Sequence, residues 1–242
     1  MRSFLLLLGS LLFSATVHAQ EHVYDDLLIL YVDEDYEKCL YKAERYTDKD
    51  DTRRDALPYL YLSLCSFEMS KMDKYTSDPE YKYASRDALK YAAKYRKKDK
   101  NLEFFKNYED YWEELNTVDM ETGFLYFDEG SYSKAKRQFQ RMTTYYPENP
   151  GAWQMLGLAQ LRMNLARDAA ESMEGYRKAF AAIPDLDRLP KDQKRLLRES
   201  MIRYAEFLDS KGMQDSARAT IAPGLEQFSG NPEFKGLYDA LN

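Results

Sequence analysis

Residues 116–149 read NTVDMETGFLYFDEGSYSKAKRQFQRMTTYYPEN, and residues 150–183 read PGAWQMLGLAQLRMNLARDAAESMEGYRKAFAAI. The first stretch sets Gly123, Tyr126, Gly130, Tyr132, Ala135, Phe139 and Pro147 at the spacing of a helix-turn-helix hairpin with a proline stop. Trp153, Leu156, Gly157, Asn164 and Ala169 repeat the pattern, Gly157 following Gly123 and Ala169 following Ala135 by 34 residues each. Small residues at the eighth and twentieth positions let two antiparallel helices approach closely, since a larger side chain would hold the axes apart. Gly123 is therefore expected to face Ala135, and Gly157 to face Ala169. The turn between the helices needs positive φ, which Gly130, Asn164 and, in a weaker third unit, Gly212 supply.

A 34-residue period of this kind resembles the tetratricopeptide repeat (TPR) family. The resemblance implies an all-α fold, a right-handed superhelical stack of antiparallel hairpins. Its clearer repeats cover about 116–149, 150–187 and 198–231, the last carrying Ala205, Leu208, Gly212 and Ala217. In the second of these the spacing slips after Ala170, so the helix there should be nearly one turn longer.

Upstream the pattern is degenerate, with repeats at about 22–50 and 56–101. Leu27, Leu28, Leu30 and Tyr31 form a short apolar helix, and Tyr36, Cys39, Leu40, Ala43 and Tyr46 carry the next stripe. Pro58 opens a further helix where its missing N–H costs nothing. Residues 71–82, with Asp78-Pro79 as a turn signal, insert a longer loop, and one long helix is expected over residues 102–129. Pro223-Gly224 should interrupt the penultimate helix, leaving residues 233–241 as a C-terminal cap.

The first 19 residues read as an address. Arg2 precedes an apolar run from Phe4 to Phe13, and Val17-His18-Ala19 presents the small residues of a cleavage site, predicting a cut between Ala19 and Gln20. The run is too short for a membrane anchor, so the chain from Gln20 onward is expected to be periplasmic, with secretion the alternative. Removal of Arg2 takes the net charge from −6 to −7. That balance, with only the short run Lys97, Lys98 and Lys100 beside Asp99, argues against nucleic acid as partner.

Catalytic chemistry finds little footing. The two histidines are His18, lost with the leader, and His22, near the new N-terminus, so no interior imidazole serves as base or metal ligand. Phosphate cradles, H-E-x-x-H and G-x-S-x-G are absent, and neither a cofactor nor a metal is expected. Neighbouring carboxylates such as Glu113 and Glu114 point in different directions on a helix. Cys39 and Cys65, the two cysteines, are open to a disulfide or to two separate buried thiols.

What remains is a surface. The TPR resemblance places the first helix of each hairpin on a concave side, and its groove positions fall on Met120, Phe124, Phe127, Gln154, Leu158, Arg162, Ile202 and Glu206. Such a groove is mostly apolar and suits a partner helix or an extended peptide. The function this implies is a non-enzymatic, exported scaffold holding a protein or peptide partner, as an assembly factor of an envelope complex would. The lysine and asparagine clamp by which some family members hold a C-terminal carboxylate is missing, Met120 and Phe124 standing at its first two positions. The alternative is a periplasmic glycan-binding module stacking sugars on exposed Tyr108, Tyr111 and Trp112.

Overall fold

The computed structural model describes residues 22–242; the expected leader and its cleavage point lie outside the described residues. Among the described residues the chain is helical without strands. In order the α-helices are α1 Asp25–Val32, α2 Tyr36–Asp48, α3 Leu57–Ser70, α4 Asp73–Thr76, α5 Ala84–Lys98, α6 Glu109–Asp128, α7 Tyr132–Tyr145, α8 Pro150–Arg162, α9 Ala166–Ala181, α10 Lys191–Asp209, α11 Gln214–Ile221, α12 Leu225–Phe228 and α13 Pro232–Leu241. None of them is long and apolar enough to cross a membrane.

The helices pack as successive hairpins: α1 with α2, α3 with α5, α6 with α7, α8 with α9, and α10 with α11. Neighbouring hairpins then join through α2 on α3, α5 on α7, and α7 on α8. The turns form as the sequence requires, with Gly130, Asn164 and Gly212 at φ 71°, 60° and 72°. Close approach is real too, but its partner lies one turn later than Ala135 and Ala169. A Cβ on Gly123 would stand 2.6 Å from the Phe139 ring, and one on Gly157 2.6 Å from the Met173 methyl. The glycines make room for a large side chain, while the alanines, both buried, fill the turn before it.

α3 shows why a helix without a polar stripe is stable here. Its residues from Pro58 to Phe67 are all buried, sandwiched between α2 and α5. Cys65 sits on this helix and Cys39 on α2; both are buried free thiols. Cys39 Sγ donates to Leu27 O at 3.6 Å, and a hydrogen bond with Cys39, followed by burial, pushes the Cys65 thiol up.

Two expectations fail locally. Residues 71–82 include the short helix α4, pinned by buried Tyr75 edge-on to Tyr81 at 5.5 Å. The long helix begins at Glu109, not near residue 102. Leu102 adopts φ 56°, and the Asp99 carboxylate accepts the backbone N–H groups of Glu103 (2.8 Å) and Phe104 (3.2 Å). Those bonds favour a turn over a continued helix. A 3₁₀ turn, Phe105–Tyr108, then leads into α6.

Two hydrophobic cores result. One runs from Tyr24 through α8 and ends at Leu196; the other starts at Leu197 and gathers Met201, Ile221, Phe228 and Phe234. α10 thus belongs to both.

Candidate functional site

The eight positions expected to line a groove do not make one. α10 packs on α8 and also on α6, along the face where an open surface was expected. Met120, Gln154, Leu158 and Ile202 retain 0–2% exposure, and Phe124 8%. Phe127 is half-buried, edge-on to Tyr132 at 5.2 Å; Arg162 and Glu206 alone are exposed. The concave docking place is therefore a correction: the chain's own helix fills it.

The closure has a polar frame. Asn116 Nδ2 donates to Asp192 Oδ2 at 2.5 Å, Arg195 pairs with Glu121 at 3.0 Å, and Arg203 pairs with Asp128 at 3.1 Å. These rungs run in the same order down α6 and α10, so the two helices lie parallel. Asn149 Nδ2, at the start of α8, donates to Asn116 Oδ1 at 3.2 Å and extends the top rung. Ser200 Oγ donates to Gln154 Oε1 at 2.7 Å, satisfying a glutamine that a groove would have offered to a partner.

The aromatic residues behind the glycan alternative are also interior. Trp112 stacks on Phe105 (4.6 Å) and Tyr95 (5.5 Å), and Tyr111 hydroxyl lies 2.6 Å from Ser63 Oγ. Both are buried, so Tyr111 and Trp112 have no free face for a sugar; Tyr108 is half-buried.

Open space lies elsewhere. A cleft of about 780 Å³ between residues 102–113 and 187–194 has walls of both signs, with Glu109 and Glu113 facing Lys191 and Lys194. A second opening, about 540 Å³, runs between α5 and α7 and is of one sign. Arg86, Lys90, Lys94 and Lys97 form one stripe of α5, and Arg137 and Arg141 face them from α7; no carboxylate lines the channel. Lys90 pairs with Asp87 at 3.1 Å, and among the described residues the other five have no ion pair. All six are exposed except half-buried Arg141.

Tyrosines hold this stripe in place. Arg86 lies over the Tyr83 ring at 4.2 Å, Lys90 over Tyr91 at 4.2 Å, and Lys94 over Tyr91 at 5.4 Å. Nearby, burial chiefly holds Lys98 below its ordinary value, against the opposing charge of Asp55 and with smaller help from Lys94, Arg53 and Arg54. The sequence hid this site because its two walls lie some forty residues apart. The i, i+4 repeat from Arg86 to Lys94 was the available signal.

Against protein-family models, curated proteins and solved structures alike the chain has no match, so its function is read from this geometry.

Proposed function

We propose that the chain is an exported, non-enzymatic scaffold, a TPR-like α-solenoid that holds a protein partner on its α5–α7 face instead of its inner face. The observation that carries this reading is the six-cation channel between two helices of a chain whose net charge is −6. Holding like charges together disfavours the free protein, and an anionic partner relieves that cost. The successive hairpins and the positive-φ turns at Gly130, Asn164 and Gly212 support the repeat reading.

The test is site-specific photocrosslinking in cells. A photoreactive residue at Gln140, on the channel wall, should give discrete protein adducts, and one at exposed Glu226 should not. Equal or absent adducts at the two positions would remove the α5–α7 face as the docking place.

A further inference from the structure

We propose that the α5–α7 channel takes an extended acidic peptide segment, with alternate Asp or Glu side chains paired to the α5 stripe. This rests on the scaffold reading above and specifies its partner.

The spacing supports an extended chain. Arg86, Lys90 and Lys94 stand four residues apart, which on a helix is about 6 Å. An extended peptide presents same-side side chains about 6.6 Å apart, so successive cations meet alternate residues with little mismatch. From Arg86 to Lys97 the stripe is about 16 Å long, enough for about five extended residues.

The chemistry of the walls points the same way. Arg137 and Arg141 offer guanidinium forks that bind carboxylates with two parallel hydrogen bonds.

Other polyanions fit less well. Single-stranded nucleic acid binds through aromatic faces as well as charge. Here the Tyr83 and Tyr91 faces are covered by Arg86, Lys90 and Lys94. A lipid headgroup surface is broad and flat, whereas these cations line a recess between two helices.

The experiment is fluorescence anisotropy of the purified protein with four probes: a labelled decapeptide of alternating Glu and Ala, the same peptide with Lys for Glu, a labelled single-stranded oligonucleotide, and phosphatidylglycerol-containing vesicles. The Glu peptide alone should bind, and its affinity should fall at least about tenfold between low salt and about 0.3 M. The double variants Arg137→Glu/Arg141→Glu and Lys94→Glu/Lys97→Glu should each weaken it by about tenfold or more while circular dichroism shows the helical fold retained. Lys94, Lys97 and Arg137 are exposed, and the all-exposed Lys94→Glu/Lys97→Glu pair carries the test should half-buried Arg141 disturb packing. Binding of the oligonucleotide or the vesicles in place of the peptide would overturn the proposal. So would peptide binding indifferent to both variants. If the peptide fails while Gln140 still crosslinks, the acidic-segment inference falls and the scaffold reading stands; if both fail, both fall.

Discussion

Arg203 reaches Asp128 at 3.1 Å, joining two helices whose contacting residues are 75 apart in the chain, and its guanidinium covers the Phe124 ring at 4.8 Å. One side chain thus ties α10 to α6 and roofs an apolar residue that would otherwise face solvent. Because Asp128 is more than half exposed, solvent screens the ion pair, and the cation–ring contact contributes comparably. Arg203→Ala should lower stability by about 1–2 kcal/mol, and Arg203→Lys should recover only part of it, lacking the planar stacking face. Urea titration of the three proteins measures this; equal midpoints would show that Arg203 does not help to hold α10 on α6.

The top rung is sensitive to pH. Burial, against weaker opposition from hydrogen bonds that include Asn116, raises the Asp192 carboxyl from 3.8 to about 6, and Glu113 adds to the rise. A folded pKa above the unfolded one means that the native state holds the proton more tightly. The resulting stability is fully present below about pH 4 and is lost as pH rises through about 6. Over that window the loss is about 3 kcal/mol at most. Asp119, raised by burial as well, acts in the same direction. Asp192→Asn keeps an acceptor for Asn116 and should stabilise the protein at pH 7.5 by about 1–3 kcal/mol and at pH 4.5 by only about a third as much. Denaturant titrations at the two pH values decide it, and a gain of equal size at both would show that ionisation is not the cause.

The hairpins were legible because helix approach and turn geometry are local: Gly123, Gly130, Gly157 and Asn164 each act within one unit of sequence. Closure of the inner face was not legible. It depends on pairs such as Asn116 with Asp192, which become neighbours only because α10 packs on α6 as well as on α8. The spacing gave the offsets of hairpins but not that α10 would contact α6 as well as its neighbour α8. Charge behaved in the same way. Read along the chain, Arg86 to Lys97 is an ordinary solvated helix stripe; only the packing of α5 on α7 brings Arg137 and Arg141 opposite.

Two helical glycines provide an internally controlled test of the close approach. At Gly123 an added methyl would stand 2.6 Å from the ring of fully buried Phe139, which has nowhere to retreat without moving the core. At exposed Gly236, in α13, nothing lies within 4 Å. Alanine gains about 1 kcal/mol over glycine in a helix interior at either place. Overpacking costs about 1–3 kcal/mol, so Gly123→Ala should be neutral to destabilising, by about 0–2 kcal/mol on balance. Gly236→Ala should stabilise by about 0.5–1 kcal/mol. Thermal melts of both variants check the signs, and a stabilising Gly123→Ala would mean that α6 and α7 can separate at no cost.

The two cysteines report on how firmly the first hairpins hold together. Both thiols are fully buried at the α2–α3 contact, and Cys65 is pushed up by its hydrogen bond with Cys39 and by burial, so thiolate is scarce at neutral pH. Reaction requires thiolate and access; burial denies access to both cysteines, and Cys65 is short of thiolate as well. In reduced protein, a disulfide reagent at pH 7.5 should therefore label neither cysteine quickly, and both at once after unfolding in urea. Exposure in the folded protein then requires opening of the hairpin, so labelling rates at increasing urea should follow the local opening free energy. Tyr31→Ala removes a ring that packs edge-on to Tyr61 at 6.2 Å and 55° from Tyr36 at 5.9 Å, loosening α1 from the helices carrying both thiols. That variant should label faster by about tenfold or more while the C-terminal core melts unchanged. Uniform acceleration throughout the chain would instead mean that the stack opens only as a single unit.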